Sequence, residues 1–73
     1  MKRYRVIGEI ILSFLDGNNQ RDFIVDPKDH GVIECDGKTV WYVNGGGQKH
    51  ESITTANIVE FGVKNGLLTE ETA

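Results

Sequence analysis

The sequence predicts a small α+β domain, in which a four-stranded, mainly antiparallel and twisted sheet carries one C-terminal α-helix. Three features lead to this prediction: alternating apolar residues in 2–15, an Asp36-Gly37 turn between two apolar runs, and helical spacing in 52–65. The predicted order is a β-hairpin over 2–26, a β-hairpin over 31–43, a glycine-rich link over 44–50, a helix over 52–65 and a short tail over 66–73.

The first predicted strand runs from residue 2 to residue 15, with its even positions facing the core. Gly8 in its middle is typical of a bulge or a sharp bend. A helix is the alternative, but the many β-branched and aromatic residues favour a strand. The opposite side is not purely polar, which indicates that something covers both sides of the sheet; it carries Ile7, Ile11 and Leu15.

A second strand is predicted over 20–26, after a turn at 16–19. Phe23 and Val25 would face the core and Ile24 the other side, and Pro27 would end the strand because it lacks an N–H. The predicted core of the whole domain comprises Val6, Ile10, Leu12, Phe14, Phe23, Val25, Ile33, Val40, Ala56, Val59 and Val63.

The second hairpin is predicted from Asp36-Gly37, a strong signal for a two-residue turn. Such a turn would set Cys35 opposite Lys38. Trp41 and Tyr42 would then point to opposite faces of the sheet, so that one aromatic side chain belongs to the core.

The helix over 52–65 has apolar residues on two sides. Val59 and Val63 share one side, whereas Ile58 and Phe61 fall nearly opposite. A single sheet covers only one side, so we expect Ile58 and Phe61 to be covered by the tail, by a second subunit or by a foreign partner. Asn65-Gly66 predicts the end of the helix, with Gly66 in a left-handed conformation.

The tail contains Thr69-Glu70-Glu71, which resembles the first turn of another helix with Thr69 as its N-cap. The glycine-rich link at 44–50 leads from a strand to a helix but lacks the spacing of a phosphate-binding loop, so we interpret it as flexible chain.

The composition limits how such a chain is stabilised. A domain of 73 residues builds a modest core, and the single Cys35 forms no disulfide within the chain, so oligomerisation is the remaining device. One cysteine and a start without a secretory signal, in which Glu9 interrupts the apolar run, favour a cytoplasmic protein. No run is long enough to span a membrane.

No residue pattern indicates an enzyme, a cofactor or a metal site. His30, Cys35 and His50 are the candidate ligands or nucleophiles, but their spacing matches no metal or catalytic motif. The sequence therefore predicts a non-enzymatic protein without a metal or a cofactor.

The leading hypothesis is a protein-interaction module that forms a homodimer or docks another protein. Small intracellular proteins without catalytic motifs are common among the accessory proteins of phages and mobile elements, so an accessory protein of this class is the expected setting. Its expected contact residues are Ile58, Phe61, Trp41 and Ile11. The alternative is a small β-barrel-like nucleic-acid-binding protein, disfavoured by the net charge of −3, that would use basic and aromatic side chains. Its expected contact residues are Lys2, Arg3, Arg5 and Tyr42.

Overall fold

The structure is a computed structural model that describes residues 1–71. The α+β class and the single helix near the C-terminus are confirmed, but the sheet is not four-stranded. Antiparallel strands form a five-stranded sheet and a separate two-stranded sheet. The elements are β1 (Lys2–Val6), β2 (Ile10–Asp16), β3 (Asn19–Val25), β4 (Val32–Cys35), β5 (Val40–Val43), β6 (Lys49–Ser52), α1 (Asn57–Lys64) and β7 (Leu68–Glu71).

The predicted strand over 2–15 is two strands that belong to different sheets. β1 pairs with β4 and β7, whereas β2 pairs only with β3, so the predicted hairpin over 2–26 is reduced to β2 and β3. The chain bends at Gly8, as expected, and the N–H groups of Ile7 and Gly8 both donate to the Leu67 carbonyl. A Cβ at Gly8 would lie 2.6 Å from a methyl group of Leu67 and 3.3 Å from its Cα, so the absence of a side chain at Gly8 permits this close approach.

The five-stranded sheet has the order β6-β5-β4-β1-β7. Between β4 and β5 the register differs from the prediction by two residues, because Cys35 faces Val40 rather than Lys38. The Asp36 carboxylate accepts the N–H groups of Lys38 and Thr39, which extends the turn to four residues. These bonds, that from Thr39 above all, lower the pKa of Asp36. A shift of two keeps each side chain on its face, so Trp41 and Tyr42 still point to opposite sides.

The glycine-rich link over 44–50, interpreted from the sequence as flexible chain, forms a hydrogen-bonded turn followed by the start of β6. The Asn44 side-chain oxygen accepts the N–H groups of Gly46 and Gln48, and the Asn44 N–H donates to the Gln48 carbonyl. The chain therefore returns as β6 alongside β5. Asparagine favours such turns because its side chain bonds nearby backbone groups.

The core lies between the five-stranded sheet, the hairpin of β2 and β3, and α1. Its most completely buried large side chains are Leu12, Ile33 and Val40. Most of the predicted core is confirmed, but Phe23 and Val63 are exposed.

The helix begins at Asn57 rather than 52, because Ser52 belongs to β6. Its buried side is centred on Gly62: a Cβ there would lie 2.6 Å from the Leu68 side chain and 3.1 Å from Ile10. At ~100° per residue, Ile58 and Val59 flank Gly62, whereas Phe61 and Val63 lie about 100° to either side. The sequence predicted two opposed apolar sides on this helix. The structure instead has one buried side, at Ile58, Val59 and Gly62, with exposed apolar residues on its two flanks.

The end of the helix is confirmed. Gly66 has φ +71°, its N–H donates to the Val63 carbonyl, and the Leu67 N–H donates to the Gly62 carbonyl. This is the Schellman pattern. The chain then continues as β7, so the segment at Thr69 that resembles a helix start is a strand and the predicted tail is part of the sheet. The last two residues of the predicted tail, 72 and 73, lie outside the described residues.

Replacing Gly66 tests this helix stop. Gly66→Val should lower the free energy of unfolding by about 1 kcal/mol or more, because a β-branched residue is strained at positive φ. Gly66→Asn should cost less, since asparagine enters the left-handed region more readily. Urea denaturation of both variants measures the difference, and equal stability of wild type and Gly66→Val would contradict the assignment.

Replacing Gly62 tests the close contact of helix and strand. Gly62→Ala would be favoured by helix propensity by about 1 kcal/mol, but its methyl group would overlap Leu68. We expect the overlap to dominate, with a net destabilisation of about 1–2 kcal/mol in urea denaturation. Glu60→Ala, on the exposed side of the same helix, serves as the control and should change stability by less than about 0.5 kcal/mol. A stabilised Gly62→Ala would contradict this packing.

Candidate protein-interaction surface

The hairpin of β2 and β3 exposes apolar side chains on its outer face. Ile11 lies directly opposite Ile24, and the two residues are 56% and 61% exposed. Leu15, on the same face, is 62% exposed. We call Ile11, Leu15 and Ile24 the hairpin apolar face. Exposed apolar clusters commonly mark contact sites, so this face is a candidate interaction surface.

The inner face of the hairpin covers the core at one end only. Ile10, Leu12 and Val25 are buried there, whereas Phe23 is 51% exposed and lies edge-to-face with Phe14 at a ring-centroid distance of 5.7 Å. β3 is exposed from Asn19 to Ile24 and buried only at Val25. The hairpin therefore extends beyond the rest of the fold.

Ser52 holds the hairpin to the five-stranded sheet. Its buried hydroxyl donates to the Ser13 carbonyl at 2.7 Å and accepts the Thr54 N–H. The Ser13 N–H donates to the Thr54 hydroxyl at 2.8 Å, and the Ile53 N–H donates to the Ser13 carbonyl. One edge of the hairpin, along β2, is thus attached to the chain that follows β6.

The other edge, along β3, is open within residues 1–71, since β3 pairs with β2 alone. Gly17 and Asn18 form the two-residue turn between Asp16 and Asn19. In a turn of this length the two flanking residues, here Asp16 and Asn19, form a hydrogen-bonded pair. Hydrogen-bonded and non-hydrogen-bonded pairs then alternate along the hairpin.

This alternation determines which backbone groups of β3 are free. Ser13 is in a non-hydrogen-bonded pair with Asp22, and its N–H and carbonyl indeed point away from β3 toward Thr54 and Ile53. By the same geometry the backbone groups of Gln20, Asp22 and Ile24 point away from β2, along the open edge.

Charges lie close to this edge. The Asp22 carboxylate accepts hydrogen bonds from the Ser13 hydroxyl and the Gln20 amide, which lower its pKa in that order of size. Asp22 is therefore ionised at neutral pH. Arg21, on the inner face, forms an exposed ion pair with Asp16 at 3.1 Å. The edge carries apolar side chains beside an ionised aspartate and an arginine.

The four interface residues expected from the sequence lie on three different surfaces. Ile11 belongs to the hairpin apolar face. Ile58 is half-buried and packs against the core, whereas Phe61 is 53% exposed on the flank of α1. Trp41 lies on the outer face of the five-stranded sheet, with the Lys49 ammonium 4.8 Å from its ring centroid. Ile11 and Phe61 are thus the exposed members of the expected set.

The residues of the nucleic-acid hypothesis do not form one surface. Arg3 and Arg5 share the outer face of the sheet, but Lys2 and Tyr42 point to the inner side. Arg3 forms an ion pair with Glu34 at 3.2 Å, and Lys49 pairs with the same carboxylate at 2.9 Å. Positive charge on this face is therefore offset by an acid.

Tyr42 is part of the fold's interior. Its hydroxyl is buried against Gly31 and has no hydrogen-bond partner among the described residues. Burial, and to a smaller extent the charge of Asp29, raise the pKa of Tyr42. The hydroxyl thus stays protonated well above neutral pH.

The candidate ligands or nucleophiles are also apart in the fold. His30 follows a short 3₁₀ turn, His50 is on β6, and Cys35 is buried on β4 with its sulfur accepting the Gly37 N–H. Residues 1–71 hold no cluster of three or more His, Cys, Asp or Glu side chains suited to a metal ion. In the same range, no helix has the length and apolar character needed to cross a membrane.

Comparison with known proteins gives no relative. No protein-family model, curated protein or solved structure matches this chain significantly.

Sequence reasoning missed two features of the hairpin, the pairing of Ile11 with Ile24 and the exposure of Phe23. Ile24 was placed on the non-core side of its strand, and its partner on that side, Ile11, was also recognised, but their register was not deduced. Phe23 was assigned to the core because it alternates with Ile24 as Val25 does. Alternation identifies the face of a residue, but it does not show where along a strand the core ends.

Removing the Ser52 hydroxyl tests the attachment of the hairpin. Ser52→Ala should destabilise the fold by about 1–3 kcal/mol, because the Ser13 carbonyl and the Thr54 N–H lose a buried partner. Ser13→Ala removes only an exposed bond to Asp22 and should cost less than about 1 kcal/mol. Urea denaturation compares them, and equal costs would show that Ser52 does not hold the hairpin.

Proposed function

We propose that this chain is a non-enzymatic protein-interaction module, which acts by self-association or by docking to another protein. The observation that supports the proposal best is the opposed, exposed pair Ile11 and Ile24 on a hairpin whose outer strand is unpaired in the described chain. Burying such side chains releases about 25 cal/mol for each Å² removed from water. A partner strand would also satisfy the free backbone groups of β3.

The proposed contact is centred on the hairpin, whereas the contact expected from the sequence was centred on the helix. Ile11 is retained and Ile24 joins it, whereas Ile58 packs against the core of its own chain. Phe61 is a second, separate candidate on α1. Trp41 has less support, because Lys49 and the ion pairs of Glu34 already occupy its surroundings.

The alternative proposal, nucleic-acid binding, is supported less well. The acid Glu34 pairs with Arg3, and Tyr42 is on the opposite side of the sheet from Arg3 and Arg5. A groove for nucleic acid generally combines positive charge with exposed aromatic rings on one surface.

The first test is the molar mass in solution, measured by light scattering over a dilution series for wild type and Ile24→Glu. Ile24→Glu places a charge in the hairpin apolar face and should convert a wild-type dimer into a folded monomer. Thr55→Glu adds the same charge at an exposed site elsewhere and should leave the dimer intact. Phe61→Glu, run in parallel, reports on the helix flank.

A monomeric wild type leaves docking to a foreign protein, which is tested with wild type, Ile24→Glu, Phe61→Glu and Thr55→Glu as baits. The proposal requires a protein that binds wild type and Thr55→Glu, loses binding to Ile24→Glu or Phe61→Glu, and forms the complex again from purified components. Equal retention by all four baits, together with a monomeric wild type, would contradict the proposed function.

A further inference from the structure

We propose that the occupant of the open β3 edge is a second copy of this chain, whose β3 pairs antiparallel with the first around a two-fold axis at Phe23. The two hairpins would form one four-stranded sheet in the order β2-β3-β3-β2. This inference rests on the self-association part of the proposed function and specifies its geometry.

The free backbone groups limit which registers are open to such a pair. Only Gln20, Asp22 and Ile24 direct their N–H and carbonyl groups outward, so these residues must face one another in the hydrogen-bonded pairs. A two-fold axis perpendicular to the sheet then passes between a residue and its own copy. Each possible register is therefore defined by the one residue of β3 that lies opposite the same residue of the second copy.

Charge removes most of these registers. An axis at Asp22 sets Asp22 against its copy, an axis at Arg21 sets Arg21 against its copy, and an axis at Ile24 sets Asp22 against Asp26. Like charges directly opposite each other destabilise a sheet. If the axis lies closer to either end of β3, fewer residues of the two strands can pair. The strand is limited by the turn before Asn19 on one side and by Pro27 on the other.

The axis at Phe23 sets no like charges directly opposite each other. Asp22 faces Ile24 of the second copy, and each of these pairs exchanges backbone hydrogen bonds. Phe23 faces its copy in a non-hydrogen-bonded pair, where side chains approach most closely and aromatic pairs contribute about 0.5–1.5 kcal/mol. Phe23 packs against Phe14 but is half-exposed in the single chain, so part of its ring is accessible for this contact.

The open edge is accessible to a second copy. A perpendicular two-fold axis places both five-stranded sheets on the same side of the joined hairpins. β3 is exposed from Asn19 to Ile24 on both its faces, so no described segment of the same chain covers this edge. Association is also a common way for chains of this length to gain stability when they lack disulfides.

The test uses opposite charges at the proposed axis. Phe23→Glu and Phe23→Lys should each weaken dimerisation about tenfold or more, because the aromatic pair is lost and like charges meet. An equimolar mixture of the two variants should restore a heterodimer, detected by light scattering and native mass spectrometry. Circular dichroism confirms that each variant is folded. A folded mixture that stays monomeric, beside a dimeric wild type, would overturn the register.

Ile11→Glu distinguishes a dimer formed by pairing of the β3 edges from a dimer formed by stacking of the two hairpin apolar faces. Ile11 is on β2, one strand away from the paired β3 edges, so edge pairing leaves its side chain exposed and this variant should stay dimeric. Loss of the dimer in Ile11→Glu would overturn edge pairing while supporting self-association through the hairpin apolar face. A monomeric wild type would overturn the inference and leave docking to a foreign protein to be tested separately.

A second measurement applies if the charged variants unfold. Cα atoms in a non-hydrogen-bonded pair are about 4.5 Å apart, within disulfide range, so Phe23→Cys should form a covalent dimer under mild oxidation. Arg21→Cys lies on the same face two residues away, far from its own copy, and should remain unlinked. Equal cross-linking at both positions would contradict the axis at Phe23. Wild type, whose Cys35 is buried, controls for reaction of that thiol.

Discussion

The fold depends on the close approach of α1 to the strands beneath it at Gly62. With no side chain there, the Leu68 side chain of β7 fills the space under the helix, and Ile10 of β2 reaches the same position. Leu68 belongs to the five-stranded sheet and Ile10 to the hairpin, so this one contact joins both sheets and the helix. A larger residue would displace the Leu68 and Ile10 side chains from this contact.

The exposed surface follows from how this small core is divided. α1 closes the core where β2 begins, and the Ser52 hydroxyl fixes the middle of β2, so the remainder of the hairpin extends past both attachments. A chain of 73 residues has no further segment in its described part to cover Phe23 or the hairpin apolar face. The exposure of these residues is thus a consequence of the architecture and not of an unusually apolar composition, since mean hydropathy is −0.32.

The sequence predicted local features well because they depend on local chemistry. Pro27 just after a strand and Gly66 at the helix stop each need a particular backbone conformation that few residues supply, and Gly8 lies at a bend that approaches Leu67 closely. What it did not predict depends on distant contacts. The change of sheet between β1 and β2 is determined by pairing with β4, β7 and β3, and β6 forms because Asn44 orders its turn.

The helix shows a second limit of sequence patterns, and it bears directly on the candidate site. A helical wheel assigns the buried side to the largest apolar residues, whereas the buried side of α1 is centred on a glycine. Ile58 therefore turns toward the core, and Phe61 remains exposed on the flank. Periodicity locates apolar residues, but packing distance decides which of them reach the interior.

The charge of Asp22 protects the open edge of β3 against unspecific pairing with other strands. Exposed edge strands are commonly protected by charge, and a single charge in the middle of a strand opposes most pairings with a copy. Its pKa is lowered by Ser13 and Gln20, so that protection is present at neutral pH. The protection is incomplete, however, because a neutral Ile24 stands two residues along the same edge and can face Asp22 without repulsion. An edge that excludes several registers and admits one is a specific surface, which is what an interaction module requires and a merely protected edge does not.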